Sequence, residues 1–144
     1  MSGNKSTAAP SFNDVWRVTV TGKKKEGLSE KEFARRYALH GKLAGPLVVK
    51  YNGISYRLHQ IRGSHADELR EKLGPELSSQ LAVGDIDGVS TLVFPTAKDL
   101  AGFISDPEYG AKLVPDASEF GEVTSIQFSV GDELVVVDDG KFVL

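Results

Sequence analysis

Hydrophobic and polar residues alternate along four stretches of the chain, and this alternation predicts four β-strands. In the first stretch, apolar side chains recur at Trp16, Val18 and Val20, and polar side chains lie between them. β-Branched residues, which favour an extended backbone, are frequent there. We predict strands at residues 15–21, 53–61, 87–94 and 122–130.

A helical period follows the first predicted strand. Residues 29–32 have the form of a capping box, which starts a helix. Phe33, Tyr37 and His40 then recur at the spacing that places side chains on one helix face. We expect the helix to end at the Gly-Pro pair of residues 45–46, because proline interrupts helical hydrogen bonding. His40 would then lie on the buried face, at the C-terminal end of the helix.

Capping and turn signals predict the remaining elements. Ser64 and Thr96 are each expected to cap a helix, and Asp139-Gly140 is expected to join two short strands in the tail. Further helical fragments are expected within residues 75–85 and 116–120. The order strand, helix, strand occurs twice, which predicts an α+β fold: a ferredoxin-like βαββαβ arrangement with a four-stranded antiparallel sheet.

A chain of 144 residues is long enough for one domain with its own core. We expect a disordered N-terminal lead at 1–12, the α+β domain at 13–131 and a C-terminal strand arm at 132–144. The net charge is -3, which indicates neither a nucleic-acid partner nor an anionic membrane.

The absence of cysteine excludes disulfides, thiol catalysis and thiolate metal sites. No apolar stretch approaches the ~20 residues that a membrane-spanning helix needs. The lead also lacks the apolar segment of a secretory signal. These features favour a cytoplasmic protein that has no membrane partner.

Helices in such a fold cover one face of the sheet, so the other face must meet water, a ligand or another sheet. We expect Arg17, Arg57 and His59 on that second face, among threonine and valine side chains. A mixed face of this kind suits a pocket that the chain's own loops and a partner subunit would roof. A symmetric dimer that packs sheet against sheet would provide that partner.

Two histidines are candidates for acid/base chemistry. Negative charge at a helix C-terminus favours the imidazolium form of His40 and burial favours the neutral ring, so that it could titrate near neutral pH. The structural alternative is a histidine bonded to a carbonyl at the helix end. His59 has Arg57 two residues away on the same face, a pair that can hold an enolate, phenolate or carboxylate. The alternatives are a polar histidine at the sheet surface and an arginine paired with Asp85 or Asp87.

Three further side chains are candidates for substrate binding. Tyr37 and Tyr56 could each donate a hydrogen bond to a carbonyl oxygen, or be core phenols. Asp116 could orient a histidine, or cap a helix. His65 is expected to be exposed. The histidine spacing does not indicate a metal site, and neither a nucleotide-binding loop nor a GxSxG elbow occurs, so cofactor-free acid/base chemistry is the remaining enzymatic hypothesis.

Five segments resemble the EthD-domain proteins of the dimeric α+β barrel superfamily. They are the helix start at 28–33, the segment His-Gly-Lys-Leu-Ala-Gly-Pro-Leu at 40–47, Tyr-Arg-Leu-His at 56–59, Asp-Gly-Val at 87–89, and Ser-Asp-Pro-Glu-Tyr at 105–109 with Asp116 and Phe120. The resemblance covers about residues 15–130. It is greatest to the small fungal EthD proteins of polyketide pathways, which are called dehydratases or decarboxylases.

The resemblance implies a homodimer with a pocket between each sheet and its helices, and it makes His40 and His59 the first candidates for catalysis. Arg57, Tyr37, Arg17, Tyr56 and Asp116 are then the candidates for substrate binding. The function expected on this basis is a lyase without cofactor or metal that acts on an aromatic polyketide. The alternatives are a cyclase or isomerase, haem or oxygen chemistry as in related barrels, and a non-catalytic ligand-binding dimer.

Overall fold

The computed structural model describes residues 9–144, so most of the predicted lead lies outside the described residues. Four strands form one sheet in the order β2-β3-β1-β4, and every neighbouring pair is antiparallel. The predicted α+β, ferredoxin-like fold with a four-stranded antiparallel sheet is therefore confirmed. The strands are β1 Asn13–Gly22, β2 Ser55–Gln60, β3 Gly88–Phe94 and β4 Gln127–Glu133.

Helix α1 connects the two strands of the first half and α4 follows the first strand of the second half, and further helical pieces and a terminal hairpin complete the fold. The helices are α1 Glu30–Lys50, α2 Gly63–Leu73, α3 Pro75–Ser78, α4 Ala97–Ser105 and α5 Val114–Ser118. A π-helical turn (Tyr109–Leu113) precedes α5, and a 3-10 turn (Val123–Ser125) precedes β4. The hairpin consists of β5 Val137–Asp138 and β6 Lys141–Phe142. None of the helices in residues 9–144 combines the length and the apolar character needed to cross a membrane.

Helix α1 is longer than predicted, because it continues through Pro46 to Lys50. Its start is as expected, since the Ser29 hydroxyl accepts a hydrogen bond from the backbone N–H of Glu32 at 3.1 Å. Beyond the proline, Leu47 and Val48 are both buried in the core, and their burial offsets the hydrogen bond that proline cannot donate. The predicted end at residues 45–46 was therefore wrong.

The structure also bears on the predicted start of the fourth strand, the predicted Ser64 cap and the predicted tail hairpin. The predicted fourth strand starts later, at Gln127, because the Ser125 hydroxyl bonds back to the Glu122 carbonyl oxygen and holds a turn. β4 then continues to Glu133, across the predicted domain boundary at 131/132. Ser64 caps no helix, since α2 begins at Gly63 without a side-chain cap. The tail hairpin was predicted correctly: Asp139 and Gly140 both have the positive φ of a tight hairpin turn.

The two faces of the sheet differ in what covers them. We call the face toward α1 and α4 the cavity face; its central side chains Val18, Leu92 and Phe94 are buried with residues of both helices. Because side chains alternate along a strand, the neighbours of these residues point to the opposite, outer face. The strand pairing places Arg17 beside Val93, Thr19 beside Thr91, Arg57 beside Thr91 and His59 beside Val89 on the outer face.

A buried carboxylate fixes the end of α1 to the connection after α4. Asp106 accepts hydrogen bonds from the Tyr51 hydroxyl at 2.6 Å, the Lys50 ammonium at 2.9 Å and the backbone N–H of Glu108 at 2.9 Å. These donors, the tyrosine first, lower the pKa of Asp106 to about 2. Gly102 allows this arrangement, because a Cβ there would lie 2.6 Å from the Tyr51 ring.

Candidate functional site

A cavity of about 320 Å³ lies between the cavity face of the sheet and the helices. We call it the central cavity. Most of its wall is aliphatic or aromatic, with β1 and β3 as the floor and α1, α4, the π-helical turn and α5 as the sides. A volume of this size is within the range of small-molecule sites. The polar side chains that line it are His40, Tyr56, Ser90, Tyr109 and Ser118.

His40 is held at the wall of the central cavity by an aspartate. Its Nδ1 lies 2.8 Å from Oδ2 of Asp116 on α5. A carboxylate only accepts hydrogen bonds, so Nδ1 carries the proton and Nε2 is the nitrogen left for a ligand. The Phe120 ring packs edge-on against the imidazole at a centroid distance of 5.3 Å, and only 16% of the His40 side chain is exposed. Asp116 thus orients the histidine, whichever role the histidine has.

The position of His40 in its helix differs from the expected one. It lies in the middle of α1 rather than at the C-terminal end. The prediction that the charge at a helix end acts on the ring was therefore wrong. The nearby charge is instead the carboxylate of Asp116, on a different helix.

A second polar pair lies on the floor of the central cavity. Ser90, on β3, is hydrogen bonded to the buried hydroxyl of Tyr37, which comes from the same face of α1 as His40. Burial raises the pKa of Tyr37, so the phenol stays protonated at neutral pH. When Tyr37 donates to Ser90, the serine proton is free to point into the cavity. The tyrosine ring reaches this depth because Gly88 has no side chain: a Cβ there would lie 2.9 Å from the ring.

Two more phenols line the same cavity. Burial raises the pKa of both hydroxyls. It is the largest of several causes for Tyr56 and the one cause for Tyr109. Neither hydroxyl has a hydrogen-bond partner within residues 9–144, although no buried polar side-chain atom in that part of the chain is left unpaired. Both hydroxyls must therefore be open to the cavity or to water, as neutral hydrogen-bond donors.

A smaller cavity of about 90 Å³ adjoins the first. We call it the side cavity. His40, Ser90 and Ala117 line both cavities, and Tyr37 lines only the smaller one. His40 therefore lies where the two spaces meet.

The outer face holds the other predicted site residues. His59 and Arg57 are exposed there, and neither lines the central cavity or the side cavity. The expectation that both histidines face one pocket is not met within the chain, because His40 lies on the opposite side of the sheet. Arg17 is also on the outer face, where it pairs with Glu133 at 3.2 Å. His65 is exposed on α2, as expected.

The proposed ion pair of Arg57 with a nearby aspartate does not form either. Asp85 binds the Lys23 ammonium at 2.6 Å, and Asp87 accepts a hydrogen bond from the backbone N–H of Lys24 at 2.8 Å. Both aspartates hold the turn after β1, and Arg57 has no carboxylate partner among the residues that the structure describes.

The sequence did carry a signal for a residue that was missed. Ser90 interrupts the apolar residues of the cavity face on β3, between Gly88 and Leu92. A buried hydroxyl on the inward face of a strand needs a hydrogen-bond partner or a ligand, so the position of Ser90 in the sequence indicates a polar site there. Tyr109 was marked only by its place in the Ser-Asp-Pro-Glu-Tyr segment of the family resemblance, because it lies in a π-helical turn that no periodicity predicts. Within residues 9–144, no group of three or more histidine, aspartate or glutamate side chains is arranged to hold a metal ion.

Solved structures of bacterial proteins have the same fold. A dimeric ferredoxin-like protein of unknown function from Thermobifida fusca has a TM-score of 0.57 and 8% identity, over 88% of this chain and 100% of that one. A dimeric protein of unknown function with a ferredoxin-like fold from Bacteroides fragilis has a TM-score of 0.54 and 12% identity, over 85% and 98%. An EthD family protein from Bacillus halodurans has a TM-score of 0.53 and 14% identity, over 83% and 99%.

Sequence comparison identifies the family. No curated protein sequence matches the chain. The profile of the EthD domain, however, matches residues 25–123, which is more than half of the chain and extends from the turn before α1 to the connection before β4. The matched segment includes His40, Ser90 and Asp116. The chain belongs to the EthD-domain family.

Proposed function

We propose that this protein is a lyase that uses His40 as its acid/base group and needs no cofactor. The observation that carries the proposal is the bond between Nδ1 of His40 and Asp116, which leaves Nε2 as the free nitrogen of a residue that lines an apolar cavity. A carboxylate in this position fixes the tautomer and stabilises the imidazolium that forms when Nε2 takes a proton.

Besides an acid/base group, such a reaction needs hydrogen-bond donors that stabilise the negative charge of the transition state, and the hydroxyls of the central cavity can supply them. Nε2 takes the proton from the carbon beside a substrate carbonyl, and the electron pair moves onto the carbonyl oxygen as an enolate. Ser90, Tyr56 and Tyr109 are neutral donors on the same cavity wall, and hydrogen bonds from them would stabilise that oxygen. The enolate then forms the carbon–carbon double bond while the leaving group departs from the next carbon.

The substrate class that we propose is an aromatic polyketide intermediate. It rests on the resemblance to the fungal EthD proteins and is supported by the apolar wall, in which Phe103, Leu100 and Val18 offer flat or aliphatic contacts to rings. The leaving group in these steps is water. In the alternative, decarboxylation of a β-keto acid, Nε2 takes the proton of the carboxyl group, carbon dioxide leaves from the carbon beside the carbonyl, and the imidazolium returns the proton to that carbon of the enolate. We also propose a cytoplasmic location, with which the absence of cysteine agrees.

We propose a homodimer in which the outer faces of two sheets pack together. Thr91 and the half-buried Val89 give this face a small-residue and apolar centre, and Arg57 and His59 surround it. In this arrangement Arg57, His59 and Arg17 are contact residues between subunits rather than acid/base or substrate-binding residues. The description of two related folds as dimeric proteins is consistent with it.

The test is turnover of a naphthyl β-hydroxy ketone and of a naphthyl β-keto acid, followed by mass spectrometry. We expect His40→Gln to lower turnover by ~10²-fold or more, the usual contribution of a positioned acid/base group. His65→Gln is the matched control, because His65 is an exposed histidine on α2, and it should keep full turnover. Full turnover in His40→Gln would refute the mechanism. Binding of these compounds by the wild-type protein without any turnover would support the non-catalytic alternative.

A further inference from the structure

Among residues 9–144, no lysine or arginine lines the central cavity. Its ionisable residues within the described part of the chain are His40, Tyr56 and Tyr109. Lys23 lines only the side cavity, and its ammonium is bound to Asp85 at 2.6 Å. Arg57, the cation expected to hold substrate oxygens, is on the outer face of the sheet. A carboxylate in the central cavity would therefore have no lysine or arginine of the described part of the chain to neutralise it.

His40 cannot fill this role without cost. Its Nδ1 is already bonded to the carboxylate of Asp116, so an imidazolium at this position is paired before any ligand arrives. A substrate carboxylate would bring a second negative charge to the same ring. Burial of a charge without a partner of its own is strongly unfavourable, whereas a ketone or phenol oxygen needs only a hydrogen bond.

The volume of the central cavity and the residues at its opening indicate how large a ligand it can hold. Its volume of about 320 Å³ is roughly twice the ~150 Å³ of an apolar cavity that binds benzene. Ile104, Val114, Val123 and Phe128 line it and are also exposed to solvent, so they form an apolar rim where the cavity opens. A skeleton of two fused rings fits inside, and a further ring could lie against the rim.

We infer that the substrate is an uncharged aromatic ketone with about two fused rings, and that the reaction of this site is loss of water rather than of carbon dioxide. The inference rests on the proposed lyase function and narrows its choice of leaving group. Nε2 of His40 takes the proton beside the carbonyl, the β-hydroxyl leaves as its C–O bond breaks, and the imidazolium returns the proton to it. The products are an unsaturated ketone and one water.

The side cavity supports this assignment. It shares His40 and Ser90 with the central cavity, and its volume of about 90 Å³ exceeds the ~30 Å³ that one water occupies in the liquid. Ser90, the hydroxyl of Tyr37 and the backbone around Gly22 and Gly121 give it polar groups. A water released at Nε2 therefore has a space beside it in which a few polar groups interrupt a mostly apolar wall.

The first test is a binding series of one ring system with three head groups: acetylnaphthalene, naphthamide and naphthoate. We expect the two uncharged compounds to bind the full chain at least ~10-fold more tightly than naphthoate at neutral pH, measured by isothermal titration calorimetry. Equal or tighter binding of naphthoate would overturn the inference, and so would the absence of any binding by the naphthyl compounds.

The series is repeated with His40→Gln, so that it does not depend on catalysis. If the ranking persists while His40→Gln keeps full turnover of the hydroxy ketone, the proposed mechanism fails and the inference about the ligand remains. If naphthoate binds best while His40→Gln loses turnover, the mechanism remains and the inference fails.

A cation placed at the rim localises the effect. Val123→Lys puts an ammonium at an exposed position that lines the central cavity, and Val49→Lys puts one at an exposed position of α1 that does not. We expect Val123→Lys to raise the affinity for naphthoate several-fold and to leave that for acetylnaphthalene unchanged, and Val49→Lys to change neither. The same gain in both variants would mean that naphthoate binds elsewhere, and this would overturn the inference.

Discussion

The two faces of one sheet carry different chemistry in this protein, although their residues alternate along the same strands. Leu58 and His59 are neighbours in sequence. Leu58 reaches α1 beside His40, since a Cβ on Gly41 would lie 2.9 Å from the Leu58 side chain. His59 points the opposite way, toward Val89 on the outer face. The alternation of side chains along β2 thus directs His59 away from the face on which His40 and Asp116 lie. Closeness in sequence does not determine which face a residue joins.

The largest expected effect that distinguishes the faces is one of stability. Leu92 and Thr91 are adjacent on β3, but Leu92 is 6% exposed in the core, whereas Thr91 points to the outer face. We expect Leu92→Ala to lower the free energy of unfolding by about 2–5 kcal/mol, through lost burial and a residual cavity. Thr91→Ala should lower it by less than about 1 kcal/mol. Urea unfolding measures both values, and similar losses in the two variants would contradict this division of the sheet.

The next effect concerns activity. Asp116→Asn keeps the size of the side chain but removes the charge that orients and stabilises the His40 imidazolium, so turnover should fall by at least about 10-fold. The paired variant Arg57→Ala with His59→Gln should keep turnover within about 3-fold, because these side chains lie outside both cavities. Initial rates with the naphthyl hydroxy ketone test both. A large loss in the outer-face variant alone would return the catalytic role to His59.

These outcomes relate to what the sequence alone could predict. The alternation of Trp16, Val18 and Val20 predicted both the strand and the side of it that meets the helices, because burial of one sheet face imposes that period. The end of α1 was not predictable from residues 45–46 alone. Tertiary burial of Leu47 and Val48 offset the local cost of proline, and no local rule contains that contribution.

The candidate site was predictable only in part, for a similar reason. His40 and Asp116 are 76 positions apart, and their contact depends on how α5 packs against α1. Local patterns marked each residue as a candidate but could not pair them. His59 was grouped with His40 because the EthD resemblance made both histidines candidates and their strand and helix were expected to pack together. The side chain of His59, however, points to the other side of the sheet.

A smaller effect is expected at the proposed contact between subunits. Thr91→Lys places an ammonium at the centre of the outer face, where two copies would bring like charges together in a poorly solvated contact. We expect the dimer dissociation constant to rise about 10-fold or more, measured by analytical ultracentrifugation. Ala101→Lys, at an exposed position of α4, is the control and should leave it unchanged. An unchanged dimer in Thr91→Lys would mean that the outer faces do not meet.

The smallest effect compares the response to acid of two carboxylates. Asp106 is buried after α4, where it binds the end of α1, and Glu133 is partly exposed on the outer face. The pKa of Asp106 in the folded protein is lowered to about 2, first by the hydrogen bond from Tyr51. Its contribution to stability is therefore complete above the unfolded pKa of about 3.9 and is lost as the pH falls toward 2. We expect the stabilities of the wild type and of Asp106→Asn to converge over this interval in urea unfolding. Glu133→Gln, which removes the carboxylate partner of Arg17, should show little difference from the wild type at any pH, because an ion pair between partly exposed side chains contributes little. If the difference in free energy of unfolding between the wild type and Asp106→Asn stayed constant over this pH range, the carboxylate would act through its shape and not through its charge.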